Sequence, residues 1–163
     1  MFHTPKIAKI LFATDLSENA GLALNYAMSI AEAFGANITV LHVFEKIPPN
    51  AEMVVATFLG YEDLDEFRKK SEKELMRQIG DRIEQFCTNA AGQVSAECRI
   101  TFNRVIVESG KAVDRILHHT ETGGYDVLVV GSRGLGLFQE TFMGGTSRKV
   151  LHHCKIPVLV IPS

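Results

Sequence analysis

The feature that most restricts this chain is a series of short, nearly unbroken apolar runs, most of them followed by a stretch with helical periodicity. Residues 7–13 (Ile-Ala-Lys-Ile-Leu-Phe-Ala) form the first, Asn37–Phe44 the second, residues 125–130 the fourth and residues 157–161 the last. A third strand lies within residues 94–107, its ends blurred by Arg99, Asn103 and Arg104. A strand with one wet face alternates apolar and polar side chains; a run apolar throughout suits a central parallel strand covered on both faces. Ala20, Leu24, Ala27, Ala31 and Phe34 recur at helical spacing after the first run, with Ser17 as the expected N-cap and Gly35 as the stop.

The rest of the chain repeats this rhythm. Residues 45–57 read as irregular, because Pro48-Pro49-Asn50 is a turn signal. A long helix is expected over 61–89, its apolar face made of Leu64, Phe67, Leu75, Ile79, Ile83 and Phe86. Asp65/Lys69 and Glu66/Lys70 stand in the favourable i,i+4 order, and Ser71 and Gly80 are weak points where the helix would bend or detach. Glu108-Ser109-Gly110 is a turn, residues 112–120 a short helix, and a final helix runs from Thr146 to about His153. Alternating strands and helices imply one parallel sheet with helices on both faces, joined by right-handed crossovers. In such sheets ligands bind beyond the carboxyl ends of the strands, where the strand order reverses. Asp15 follows the first strand and Gly131 the fourth; if these strands are neighbours, both residues face one crevice.

With 163 residues the chain fits a single domain, 1–163. A net charge of −2 argues against bulk binding to nucleic acid or an anionic membrane. No apolar run approaches the roughly 18 residues of a membrane span, and the N-terminus lacks a signal layout, so the expected location is the cytoplasm. The three cysteines, Cys87, Cys98 and Cys154, are odd in number and show no C-x-x-C spacing, which reads as reduced thiols. The adjacent pairs His118-His119 and His152-His153 do not share a helix face, and His42 in a strand reads as a satisfied core residue; no metal site is assigned.

The stretch Gly131-Ser132-Arg133-Gly134-Leu135-Gly136, continuing to Gly144-Gly145-Thr146-Ser147, carries the candidate site. Glycines between a strand and a helix start let bare backbone N–H groups approach an anion. Gly131 and Gly136 have Walker A spacing, but Leu137 and Phe138 stand where Lys and Ser/Thr belong, and no G-x-G-x-x-G occurs. On physics alone the loop is either a phosphate cradle or a tight-packing turn. Arg133, Arg148 and Lys149 add positive charge nearby, as phosphate partners or as solvated cations.

Gly131-x-x-Gly134, nine residues and then Gly144 resembles the G-2x-G-9x-G-[ST] signature of the ATP-binding branch of the universal stress protein family. Residues 10–17 (Ile-Leu-Phe-Ala-Thr-Asp-Leu-Ser), 39–43 (Thr-Val-Leu-His-Val), 108–110, 126–131 and 157–161 resemble its other segments in order. The resemblance implies an adenine nucleotide alpha-hydrolase-like sheet of order 3-2-1-4-5 with a nucleotide at the switch point. By it, Ala13, Thr14 and Asp15 lie beside the adenosine and Val43 lines the adenine. Gly131 approaches the ribose, and Arg133, Gly134, Gly144, Gly145, Thr146 and Ser147 surround the phosphates. The implied ligand is ATP or AMP, with Mg²⁺ carried on phosphate oxygens. It also implies a homodimer through strand 157–161, an apolar edge open to pairing.

Gly145 departs from the signature, which has Ser or Thr there; Thr146 or Ser147 is the candidate replacement hydroxyl, and AMP or ADP tolerates the change better than ATP. No nucleophile–base–orienter set is recognisable, so no catalytic residue is assigned, and any hydrolysis of ATP is slow. The leading function is a nucleotide-dependent stress sensor or binding module. The rivals are a dimeric interaction module of the same fold without nucleotide, using the 61–89 helix and its preceding loop, and a slow ATPase.

Overall fold

In the computed structural model, which describes residues 2–92, 101–133 and 143–162, the apolar runs pair as one five-stranded parallel sheet. Its strands are β1 (Lys9–Thr14), β2 (Asn37–Phe44), β3 (Thr101–Ser109), β4 (Val127–Gly131) and β5 (Val158–Ile161), in the order β3-β2-β1-β4-β5. The helices are α1 (Glu18–Phe34), α2 (Glu52–Phe58), α3 (Leu64–Arg68), α4 (Glu72–Gly92), α5 (Ala112–Thr122) and α6 (Gly145–His153). The order 3-2-1-4-5 is the expected one, and β5 stands at an edge. No helix of the described residues is long and apolar enough to cross a membrane.

Each strand divides its side chains between two cores, as the period of two demands. Ile10, Phe12, Ile38, Val40, Phe44, Val127 and Val129 pack under residues of α1, α2, α3 and α4. Leu11, Leu41, Leu128 and Val130 pack under Ile116 of α5 and Val150 of α6. This explains why the runs are apolar throughout: both faces of the sheet are covered. At the opposite end of the sheet from the carboxyl termini, Asp126 Oδ2 accepts the N–H groups of Ala8 and Lys9 at 2.8 and 2.9 Å. These bonds hold its carboxyl below the usual carboxylate range.

Several local expectations need correction. Residues 52–58 are helical: the Pro48-Pro49-Asn50 turn is followed directly by α2, whose Val55 and Ala56 are buried. The expected 61–89 helix is two helices, α3 and α4, divided at Lys69–Ser71 where the apolar stripe lapses. Ser71 now starts α4, its Oγ accepting the N–H of Glu74 at 3.2 Å. Gly80 is no break, since α4 runs through it and a Cβ there would sit 3.6 Å from Val107 Cγ2. Because α3 has only five residues, the i,i+4 pairs Asp65/Lys69 and Glu66/Lys70 are not formed; Arg68 instead pairs with Glu52 of α2 at 2.6 Å. Phe86 is 50% exposed while Cys87 is buried, because Cys87 continues the 79–83 spacing and Phe86 lies about 100° round the helix. Phe34, the last residue of α1, is 53% exposed beside the left-handed Gly35 (φ 64°). β3 keeps Glu108 and Ser109 in its ladder with Val43 and Phe44, so the turn starts at Gly110. Residues 93–100, with Cys98, lie outside the described residues.

Candidate functional site

The chain winds from β1 outward to β3 on one side and from β4 to β5 on the other, so the order reverses between β1 and β4. A cavity of about 770 Å³ opens beyond the carboxyl ends there. That is within the roughly 300–1,000 Å³ typical of small-molecule sites. Ala13, Thr14, Asp15, Val43, Gly131, Arg133, Gly144, Gly145, Thr146 and Ser147 all line it. Gly134 lies outside the described residues. Arg148 and Lys149 are exposed and do not line the cavity, as solvated cations would be placed.

One side of the cavity is built from the start of α6. Gly144 takes the N-cap position with extended backbone, and α6 begins one residue earlier than expected, at Gly145. The first helical bond is Arg148 N–H to Gly144 O at 3.0 Å, so the amides of Gly145, Thr146 and Ser147 precede the ladder. No acidic residue occupies that turn, which leaves the positive end of the helix open to an anion. The loop ends are pinned: Gly144 N–H donates to Ser132 O at 2.6 Å, and Ser132 N–H donates to Ile161 O at 2.7 Å. Ser147 Oγ donates to Gly131 O at 2.7 Å, tying α6 to the end of β4. That proton is therefore committed within the fold, and Thr146, exposed on the same turn, supplies the hydroxyl that faces outward.

Arg133 lines the cavity with its Nε buried and without a hydrogen-bond partner among the described residues. With Lys46 it is one of two cations lining the cavity, and its guanidinium can make a charge-assisted bond to an anion.

The other side of the cavity starts at Asp15, whose Oδ1 accepts Ser17 N–H at 3.0 Å. Asp15 is thus a helix-start acid that also lines the cavity. Ser17 holds the N-cap position of α1, but its own hydroxyl makes no cap bond; Asp15 binds the amide of Ser17 itself, and Ala20 N–H is taken by the Ser17 carbonyl. Thr14 Oγ1 accepts Leu16 N–H at 3.2 Å, and Leu16 adopts a left-handed φ of 67°.

The sequence reading missed part of the lining: Leu16, Asn19, His42, Ile47, Val55, Ile79 and Ile116 also face the cavity. The segment before α2 is held there by Glu45, whose carboxylate accepts Ala112 N–H at the start of α5. An acid three residues before the Pro-Pro turn was the available signal, but its partner is 67 residues away. His42 is buried, as a core histidine should be, and its Nδ1 lies 2.9 Å from Thr14 O. Burial pushes its pKa below the ordinary histidine value, against the Thr14 bond and the Asp15 charge. The titratable Asp15, Glu45 and His42 each carry a backbone bond, an arrangement suited to holding a ligand.

Comparison with known proteins accords with this architecture. The chain is 28% identical over 154 residues to the universal stress protein YxiE of Bacillus subtilis, covering 94% of this chain and 97% of that protein. It is 24% identical over 155 residues to the universal stress protein MJ0577 of Methanocaldococcus jannaschii, covering 94% and 93%. Among solved structures, the universal stress protein UspA from Lactobacillus plantarum matches with a TM-score of 0.67 at 21% identity, over 97% of this chain and 99% of that one. A universal stress protein in complex with cAMP matches with a TM-score of 0.57 at 20% identity, over 97% and 98%. The structural likenesses carry the fold. Residues 6–162 match the model of the universal stress protein family, nearly the whole chain, and with the 3-2-1-4-5 sheet this makes the protein a member of that family.

Proposed function

We propose that this protein binds an adenine nucleotide in the cavity at the β1/β4 switch point and acts as a stress-response sensor or binding module. One observation carries the reading: a single cavity gathers Asp15, Val43, Gly131, Arg133 and the free amide end of α6. An anion at the α6 end and a base near Val43 would span the cavity, with Gly131 between them. A related structure holding cAMP supports an adenine nucleotide as the ligand class.

Gly145 offers no hydroxyl and Ser147 is tied to Gly131, so among the described residues Thr146 is the one uncommitted side-chain hydroxyl on this turn for a terminal phosphate. AMP or ADP then fits at least as well as ATP, with Mg²⁺ carried on phosphate oxygens when ATP is present. The same reading places the protein in the cytoplasm as a homodimer paired through β5. Titration calorimetry with ATP, ADP and AMP in the presence of Mg²⁺ tests it, together with release of adenine nucleotide when freshly purified protein is denatured. No heat of binding at millimolar nucleotide and no released nucleotide would remove it.

A further inference from the structure

The cavity is not confined to the nucleotide side of the sheet. Along β2, Leu41 belongs to the core under α5 and α6 with Val43 packed against it, whereas Val40 and Phe44 belong to the core under α1–α4. His42 shares the parity of Val40 and Phe44, so its ring stands on the α1–α4 face, yet it lines the same cavity as Val43. The cavity therefore wraps round the carboxyl edge of the sheet into a second lobe. Leu16, Phe44, Ile47, Val55 and Ile79 wall that lobe, and all five belong to or pack against the α1–α4 core.

Two observations mark the lobe as more than packing space. His42 is only 8% exposed, and its Nδ1 contacts a carbonyl, which can only accept; Nδ1 therefore carries the hydrogen and Nε2 is a lone-pair acceptor. Nε2 has no partner among the described residues. It is not one of the buried side-chain atoms left without a partner, so it is open to the cavity His42 lines, where water or a ligand can donate to it. Leu16, the non-glycine residue with positive φ among the described residues, stands at the mouth of the lobe between Asp15 and the α1 start. A bulky side chain in that conformation is strained, and such strain concentrates at ligand sites.

We propose that this lobe is a second binding site, for a small, neutral, mostly apolar molecule that presents one N–H or O–H donor, of the indole or phenol class, to His42 Nε2. The apolar walls supply contact area and the His42 acceptor fixes orientation, with Asn19, Glu45, Lys46 and Asn50 also lining the cavity. The site uses the opposite face of the sheet from α6 and does not depend on the nucleotide reading.

Indole is the probe. The chain contains no tryptophan, so indole emission excited beyond tyrosine absorption reports binding directly. The expected result is saturable binding at one site per chain, with blue-shifted emission that persists under saturating AMP. 1-Methylindole, which lacks the donor, should bind at least about tenfold more weakly. His42→Phe, of similar ring size, should weaken indole about as much and leave 1-methylindole unchanged. Absence of saturable binding, equal affinity for the two indoles, or complete displacement of indole by AMP would each overturn the proposal. If His42→Phe does not fold, the two indoles on the unsubstituted protein decide the matter alone. Failure of AMP to bind while indole binds as described would overturn the nucleotide reading and leave this one standing.

Discussion

Gly145→Ser is the substitution that isolates the phosphate end of the site. Gly145 is the first residue of α6, its φ is not left-handed, and a Cβ built there meets nothing within 4 Å. The backbone therefore accepts a side chain without strain. Helical Cβ atoms tilt toward the N-terminus, so the new Oγ would reach into the space before the α6 amides where a phosphate is proposed. One added hydroxyl bond to an anionic oxygen, partly solvated, strengthens binding by about 1–1.5 kcal/mol, roughly five- to tenfold. Gly145→Ala is the control, since it adds the Cβ without the donor. Calorimetry should show AMP and ATP tightening for Ser and staying level for Ala. Adenosine, with no phosphate, should bind both variants as it binds the unsubstituted protein. Thermal unfolding without ligand should be unchanged or slightly raised in both, since glycine in a helix is the poorer former. If Ser binds AMP and ATP no better than Ala does, the phosphates do not lie at the start of α6. If adenosine tightens equally, the gain is a change of cavity shape.

Other outcomes follow from single contacts. Ser147→Ala removes the bond to Gly131 O and should lower stability by about 1 kcal/mol, read from the denaturant midpoint, while weakening AMP through a displaced α6. Gly80→Ala places its Cβ in ordinary contact with Val107 and should raise stability by about 0.5–1 kcal/mol; a loss would mean that α4 lies closer to β3 than described. Asp126 has a lowered folded-state pKa from the Ala8 and Lys9 amides, so its contribution is present above the unfolded carboxylate pKa and is lost as pH falls through the folded value. An acid titration of unfolding should show a shallower decline for Asp126→Asn than for the unsubstituted chain, and parallel curves would exclude that role.

What could be read along the chain is what neighbours along the chain determine. Unbroken apolar runs require two covered faces whatever lies above them, so the layered α/β architecture was legible. Gly35 stops α1 by a backbone preference of its own, and Ser71 was legible as a weak point because the apolar spacing lapses there. The cluster of glycines before α6 marked a candidate anion-binding turn for the same local reason. The misreadings fall where a local signal competes with a distant partner. Ser17 is a good cap by type, yet its hydroxyl makes no cap bond, and Ala20 N–H goes to the Ser17 carbonyl instead. Phe86 is more apolar than Cys87, yet the helical phase against β3 buries the cysteine. Ser147 and Thr146 are equivalent candidates in sequence; only the closeness of Gly131 O separates them.

The sequence by itself determined the layers, the strand and helix stops, and the motif that ends at Gly144. Only the tertiary structure decided that one cavity serves both faces of the sheet. His42 and Val43 are adjacent residues whose side chains point to opposite faces, and a single space beyond the ends of β1 and β2 is lined by both. Residue types and spacing specify which groups a strand carries to its end. What those groups meet is set by the strands, helices and loops that packing brings beside them, and the carboxylate of Glu45 on the first amide of α5 is a pairing of that kind.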